Sequence, residues 1–90
     1  MPEMLREFRT LVGGVDDNAY VAQVWAHERD DGRWEAWIVF VPIATGQARR
    51  TERDTTQGTR GAVEYWASGV TSVYLQGAFT RSRPVRVSAA

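Results

Sequence analysis

Residues Tyr20 to Pro42 constrain this chain more than any other stretch. They read Tyr-Val-Ala-Gln-Val-Trp-Ala-His-Glu-Arg, then Asp30-Asp31-Gly32, then Arg-Trp-Glu-Ala-Trp-Ile-Val-Phe-Val-Pro. Two runs rich in β-branched and aromatic residues flank an Asp-Gly pair, a strong short-range hairpin signal. A two-residue turn at Asp31-Gly32 pairs Asp30 with Arg33 and sets the rest of the register. Ala26 then lies opposite Trp37, Val24 opposite Val39 and Ala22 opposite Val41 on one face, because side chains alternate along a strand. The other face takes Trp25 with Ile38, His27 with Ala36, Gln23 with Phe40 and Arg29 with Trp34. Both faces are then apolar, whereas a solvated antiparallel sheet keeps one polar face. Both faces need cover.

Ninety residues make one small domain with a single core, burying roughly 60–65% of the surface that the unfolded chain exposes. An apolar fraction of 43% with four tryptophans argues for a packed globule rather than a disordered chain. The absence of cysteine excludes disulfides and thiolate metal sites and favours a reducing compartment. No apolar run reaches the roughly 18 residues of a membrane helix, and no signal-peptide pattern opens the chain, so a cytoplasmic protein without membrane contact is expected.

The net charge of zero conceals an uneven distribution. Residues 1–45 hold eight acids and four arginines, a balance of −4, and residues 46–90 hold three acids and seven arginines, a balance of +4. Such a split gives either a basic partner-binding end or two halves that attract each other. All eleven cations are arginine, a side chain suited to phosphate and carboxylate recognition.

Along the chain, residues 4–12 feed the hairpin and read as a first strand, closed by Gly13-Gly14, with a turn at Val15 to Asn18. Ala48 to Arg53 reads as a polar strand at a sheet edge, where charge discourages further strand addition. Asp54-Thr55-Thr56 supplies helix-capping residues. Ala62, Val63, Trp66 and Val70 then recur at helical spacing until Gly69 stops the helix. Ser72 to Phe79 fits a second short helix or a strand, and the helix is preferred. The basic tail 81–90 is expected to fray. The fold class is therefore α+β, with an antiparallel sheet of three to four strands and one main helix over residues 56–68 packed on one face.

Tyr20, Asp31-Gly32, Trp34 and Thr56 through Ala62 occur in the order of a tyrosine-led strand, a turn, a tryptophan-containing strand and a threonine-started helix. On these pieces residues 20–67 resemble the N-terminal domain of HicB-type antitoxins, although the Pro-Gly-Cys-type loop that family often carries has no counterpart here. The resemblance implies a small protein partner. The stretches Glu64 to Val70 and Val73 to Phe79 are also similar to a small bacterial family without an assigned activity.

Several residues bear on chemistry. His27 is the single histidine, which excludes a histidine-based metal cluster. A catalytic role for it requires a pocket and Glu28 or Glu35 within hydrogen-bond reach. Asp30 and Asp31 have backbone reasons to sit at a turn. Gly58-Thr-Arg-Gly61 matches the short Gly-x-x-Gly loop of KH domains, but here it opens a helix. Arg53 and Arg60 beside that helix start are the candidate phosphate or nucleic-acid contacts. Glu52, Asp54 and Glu64 interrupt the basic half, which favours a solvated face. Trp37 and Trp66 are expected in the core. Trp25, Trp34, Ile38 and Phe40 are expected to form a contiguous apolar face, and such a face marks a partner site. The leading expectation is a non-enzymatic homodimeric interaction domain, without cofactor or metal. A nucleic-acid or phosphate-binding module is the alternative.

Overall fold

The computed structural model describes residues 1–13 and 19–85; the turn expected at Val15 to Asn18 and the end of the basic tail, Arg86 included, lie outside them. The fold is α+β. β1 (Glu3–Gly13), β2 (Ala19–Glu28) and β3 (Trp34–Pro42) form an antiparallel meander. β4 (Arg49–Arg50) and β5 (Thr55–Gln57) both pair with β3, and after the helices α1 (Arg60–Ser68) and α2 (Ser72–Arg81), β6 (Arg83–Pro84) pairs with β4. The sheet order is β1-β2-β3-β4-β6, with β5 beside β3.

The hairpin forms, but its register differs by one residue from the expected one. Arg29 N–H donates to the Arg33 carbonyl at 2.7 Å, and Gly32 N–H donates to the Arg29 carbonyl at 3.0 Å. The loop therefore has three residues, Asp30, Asp31 and Gly32, with Gly32 at φ 83°. Three-residue hairpins of this kind place a residue in the left-handed region after a type I turn, and glycine does so without steric cost. Asp31 reinforces the turn by accepting from Arg33 N–H at 3.0 Å. With one more residue in the loop, Trp25 pairs with Trp37, Val24 with Ile38 and Ala22 with Phe40. A slip of one residue moves a whole strand's side chains to the opposite face.

The even-numbered positions consequently build the core. Ala22, Val24, Ala26, Ala36, Ile38 and Phe40 are fully buried, and Tyr20 nearly so. Alanines at three of these positions let the helices approach the sheet closely. Val63 and Ala67 of α1 and Leu75, Ala78 and Phe79 of α2 cover this face. Phe79 stands edge-on to Phe40 at 5.1 Å and tilted against Tyr20 at 4.9 Å. Trp34, Trp66 and Tyr74 pack at the margin.

The second half corrects one further expectation. Residues 55–57, read from sequence as the beginning of the helix, are a strand pairing with Trp34–Ala36. Two adjacent β-branched threonines suit an extended backbone, and the helix begins later, where the Thr59 hydroxyl accepts from Ala62 N–H. α2 is a helix of ten residues, capped by Thr71. Within the described part of the tail, Arg81 closes α2 and Arg83–Pro84 form a short strand beside β4.

A polar clip holds α2 to the sheet. Between β4 and β5 the buried Thr51 takes the place of a ladder residue: its N–H donates to the Ile38 carbonyl and its hydroxyl accepts from Ile38 N–H. That hydroxyl donates in turn to Asp54. The Asp54 side chain is fully buried and also accepts from Tyr74 Oη at 2.6 Å and from Arg81 at 2.8 Å. Burial above all, and then the hydrogen bond and negative charge of Asp54, push the Tyr74 phenol up to about 12.

The native state thus holds the Tyr74 proton more tightly than the unfolded chain, whose phenol titrates near 10. Its stabilising contribution is complete below about pH 10 and is lost as the pH rises toward 12. Ultraviolet titration should show an ionisation near pH 12 that is missing in Tyr74→Phe; ionisation of Tyr74 at its ordinary value would contradict the clip. Asp54→Ala leaves buried donors without an acceptor, and urea denaturation should show a loss of about 2–3 kcal/mol.

Candidate functional site

Both helices pack against the even-numbered face, so the other face of the sheet has no helical layer among the described residues. The molecule is a slab with extents of 39 × 36 × 18 Å. The thin dimension fits one sheet and one layer of helices, whose spacing is close to 10 Å.

Strand pairing arranges the open face into four rows running across the strands. Leu11, Val21 and Val41 form an apolar row at the end remote from the hairpin tip. Glu7, Gln23, Val39 and Arg50 form the second row, across four strands. Met4, Trp25 and Trp37 form the third, and His27, Glu35 and Thr56 the fourth, nearest the tip. Val21, Trp25, Val39 and Val41 are half-buried, while Met4 and Leu11 are 45% and 50% exposed.

Polar side chains tie the rows together. Gln23 Nε2 donates to Glu7 at 2.9 Å, and Trp25 Nε1 donates to Gln23 Oε1 at 2.9 Å. The Arg50 guanidinium lies 4.6 Å from the centre of the Trp37 ring and donates to the Thr51 and Glu52 carbonyls. The His27 ring meets Trp37 edge-on at 5.5 Å. His27 and Arg50 both pack on Trp37, which is almost completely buried although it lies on the side away from the helices.

His27 and Glu35 face each other across the hairpin, with Nε2 and Oε1 2.7 Å apart. Arg29 lies 4.0 Å from Glu35 and 3.6 Å from Asp31. The hydrogen bond from His27 is the main cause that holds the Glu35 carboxyl below its ordinary value; partial burial opposes it, and the charges of His27, Arg29 and Arg53 add to it. The carboxylate is therefore ionised at neutral pH, and Nε2 carries the proton that it accepts. An open crevice of about 400 Å3, lined by His27, Glu28, Arg29, Asp30 and Asp31, adjoins the pair. This meets the hydrogen-bond condition for a proton-transferring histidine, with Glu35 as the orienting carboxylate. Nucleophilic catalysis needs a further group: among the described residues no hydroxyl hydrogen-bonds to the imidazole, and no cluster of metal-ligating side chains is present.

The four residues expected to share a partner face do not share one. Ile38 and Phe40 are fully buried beneath the helices, Trp34 packs at the core margin, and Trp25 alone lies on the open face. The longer hairpin loop is the cause, since it pairs Trp25 with Trp37 instead of Ile38. Val21, Val39 and Val41 take their places. Polar residues carried the missing signal: Gln23, His27 and Glu35 fall on one face only when odd positions pair with odd positions.

The candidate phosphate contacts have carboxylate partners. Arg60 donates to Glu3 at 2.7–2.9 Å and to Glu64 at 2.5 Å, and the hydrogen bond to Glu3 is the first cause of its raised pKa. Arg53 is exposed in the connection before β5, within electrostatic reach of Glu35. Among the described residues no helix is long and apolar enough to cross a membrane.

No known protein family, curated protein or solved structure matches the chain.

Because the folded-state pKa of Glu35 lies below its unfolded value of 4.5, the stability it contributes is present above that pH and is lost as the pH falls through the depressed folded value. Thermal melts of wild type and Glu35→Gln should therefore converge as the pH drops from neutral to about 3. A difference independent of pH would mean that the pair contributes no charge interaction.

Proposed function

We propose that this chain is a non-enzymatic protein-interaction domain that works as a homodimer through the open face of its sheet. One observation carries the reading: the helices cover the even-numbered face, and among the described residues the odd-numbered face presents Leu11, Val21, Trp25, Val39 and Val41 without a second layer. A contiguous apolar sheet face is costly to leave in water, and symmetric two-fold pairing is the commonest way to cover one. The plan of the molecule, 39 by 36 Å, is ample for the roughly 800 Å2 per partner that a stable interface buries.

Size exclusion with light scattering tests this directly. The expected mass is that of two copies, and Val39→Asp, which places an unpaired charge in the middle of the face, should yield a folded monomer. A wild-type monomer at concentrations near 100 μM would overturn the reading, since an interface of standard size is stable well below that concentration. Nucleic acid eluting with the protein would instead favour the arginine-rich half, led by Arg53 and Arg60, as a nucleic-acid or phosphate-binding surface. Binding of that kind weakens steeply with salt, and the Arg53→Ala, Arg60→Ala double variant should lose it.

A further inference from the structure

The open face carries enough pattern to orient a second copy. We infer that the dimer axis runs parallel to the strands, between β2 and β3, so that Glu7 of each copy meets Arg50 of the other. The inference rests on the homodimer reading above and adds the geometry of pairing to it.

Two sheets packed face to face around a two-fold axis have two simple arrangements. In one, the axis runs along the strands and exchanges the β1 side for the β4 side while keeping each row over its own counterpart. In the other, the axis runs across the strands and reverses the order of the rows. The face is graded along the strands: Leu11, Val21 and Val41 at one end are apolar, while His27, Glu35 and Arg29 at the other are charged or polar. Reversing the rows lays that polar cluster on the valines, and burying charge against an apolar surface is strongly unfavourable. Keeping the rows lays valine on valine and leaves both polar clusters together at the hairpin-tip rim.

Charge across the strands selects the same axis. Glu7, Gln23, Val39 and Arg50 occupy one row on β1, β2, β3 and β4. With strands about 4.8 Å apart, Glu7 and Arg50 lie about 7 Å on either side of the midline between β2 and β3. A two-fold axis on that midline carries Glu7 of one copy to the position facing Arg50 of the other, and does so twice. It also sets Gln23 over Val39 and Trp25 over Trp37. The Glu7 carboxylate of each copy thus meets the Arg50 guanidinium of the other, a charge pairing that fixes register.

The absence of cysteine in the chain gives a clean test. Glu7→Arg and Arg50→Glu are each expected to weaken the dimer at least tenfold in sedimentation equilibrium, because each puts two like-charge pairs in contact; the double variant should recover most of the loss. Because Arg50→Glu also removes the contact with Trp37, a covalent readout runs beside it. Oxidation of the Glu7→Cys, Arg50→Cys double variant should produce a disulfide-linked dimer, and neither single variant should. A disulfide dimer from Glu7→Cys alone would place the two-fold axis beside Glu7 rather than between β2 and β3, and would overturn the inference while leaving the homodimer intact. A dimer in which charge reversals act additively and the double variant does not cross-link would overturn it as well. A monomeric wild type would remove the homodimer itself, and the two failures are thereby distinguishable.

Discussion

The conformation of Gly32 governs most of this structure. A residue in the left-handed region at the end of the Asp30-Asp31-Gly32 loop makes the loop three residues long. Loop length decides which residues of β2 and β3 stand opposite each other, and pairing decides which share a face. Because even positions pair with even ones, Ala22, Val24 and Ala26 join Ala36, Ile38 and Phe40 in a single surface of small and large side chains that receives both helices. Trp25, Trp37, Val39 and Val41 are left for the other side. The core and the open face are two consequences of one backbone angle.

Legibility in the sequence follows from how many physical signals bear on each element. The Asp-Gly pair and the flanking β-formers establish the hairpin, and alternation within each strand correctly separates Ala22, Val24 and Ala26 from Trp25 and His27. Matching between the strands is harder to read, since Asp-Gly suits both a two-residue turn and the end of a three-residue loop. Both strands are apolar on both sides, so hydrophobic patterning gives little penalty for the wrong match. The deciding residues are the few polar ones, Gln23, His27 and Glu35. α1 is legible from its Val63 and Ala67 spacing, whereas Thr55 and Thr56 carry two conflicting signals, capping and extended preference. Pairing with the edge of Trp34–Ala36 favours the strand, and a tertiary contact of that kind has no local signature. The same limit applies to the open face: Trp25 lies on it as its position in β2 suggests, whereas Ile38 and Phe40 lie in the core, since their placement depends on loop length.

Asp54 ties α2 to the core side of the sheet. Its buried carboxylate links Thr51, which completes the β3 ladder, to Tyr74 and Arg81 on α2. A buried charge is tolerated when each of its acceptor positions finds a donor. Removing any one donor weakens the others, so α2 is held to the core face by a connected set of bonds as well as by Leu75, Ala78 and Phe79. Short helices of nine and ten residues have little stability of their own. Their docking depends on this face being continuous, and none of their length remains to reach around to the other.

That geometry gives the open face its character. A domain of this size with a single helical layer exposes a large share of its apolar surface. Trp37 shows how the fold compensates locally: the Arg50 guanidinium and the His27 ring shield it. Among the described residues, the valines of the first two rows have no comparable shield and stay half-buried. Pairing two such slabs through their open faces yields four layers, helix, sheet, sheet and helix, in which Val21, Val39 and Val41 become interior positions. In the proposed pairing the polar cluster around His27 and Glu35 would stay at the rim, where hydration is retained and the charge of Glu35 is already balanced by its neighbours. The gradient along the strands, apolar at one end and ionic at the other, therefore suits the proposed pairing in one orientation.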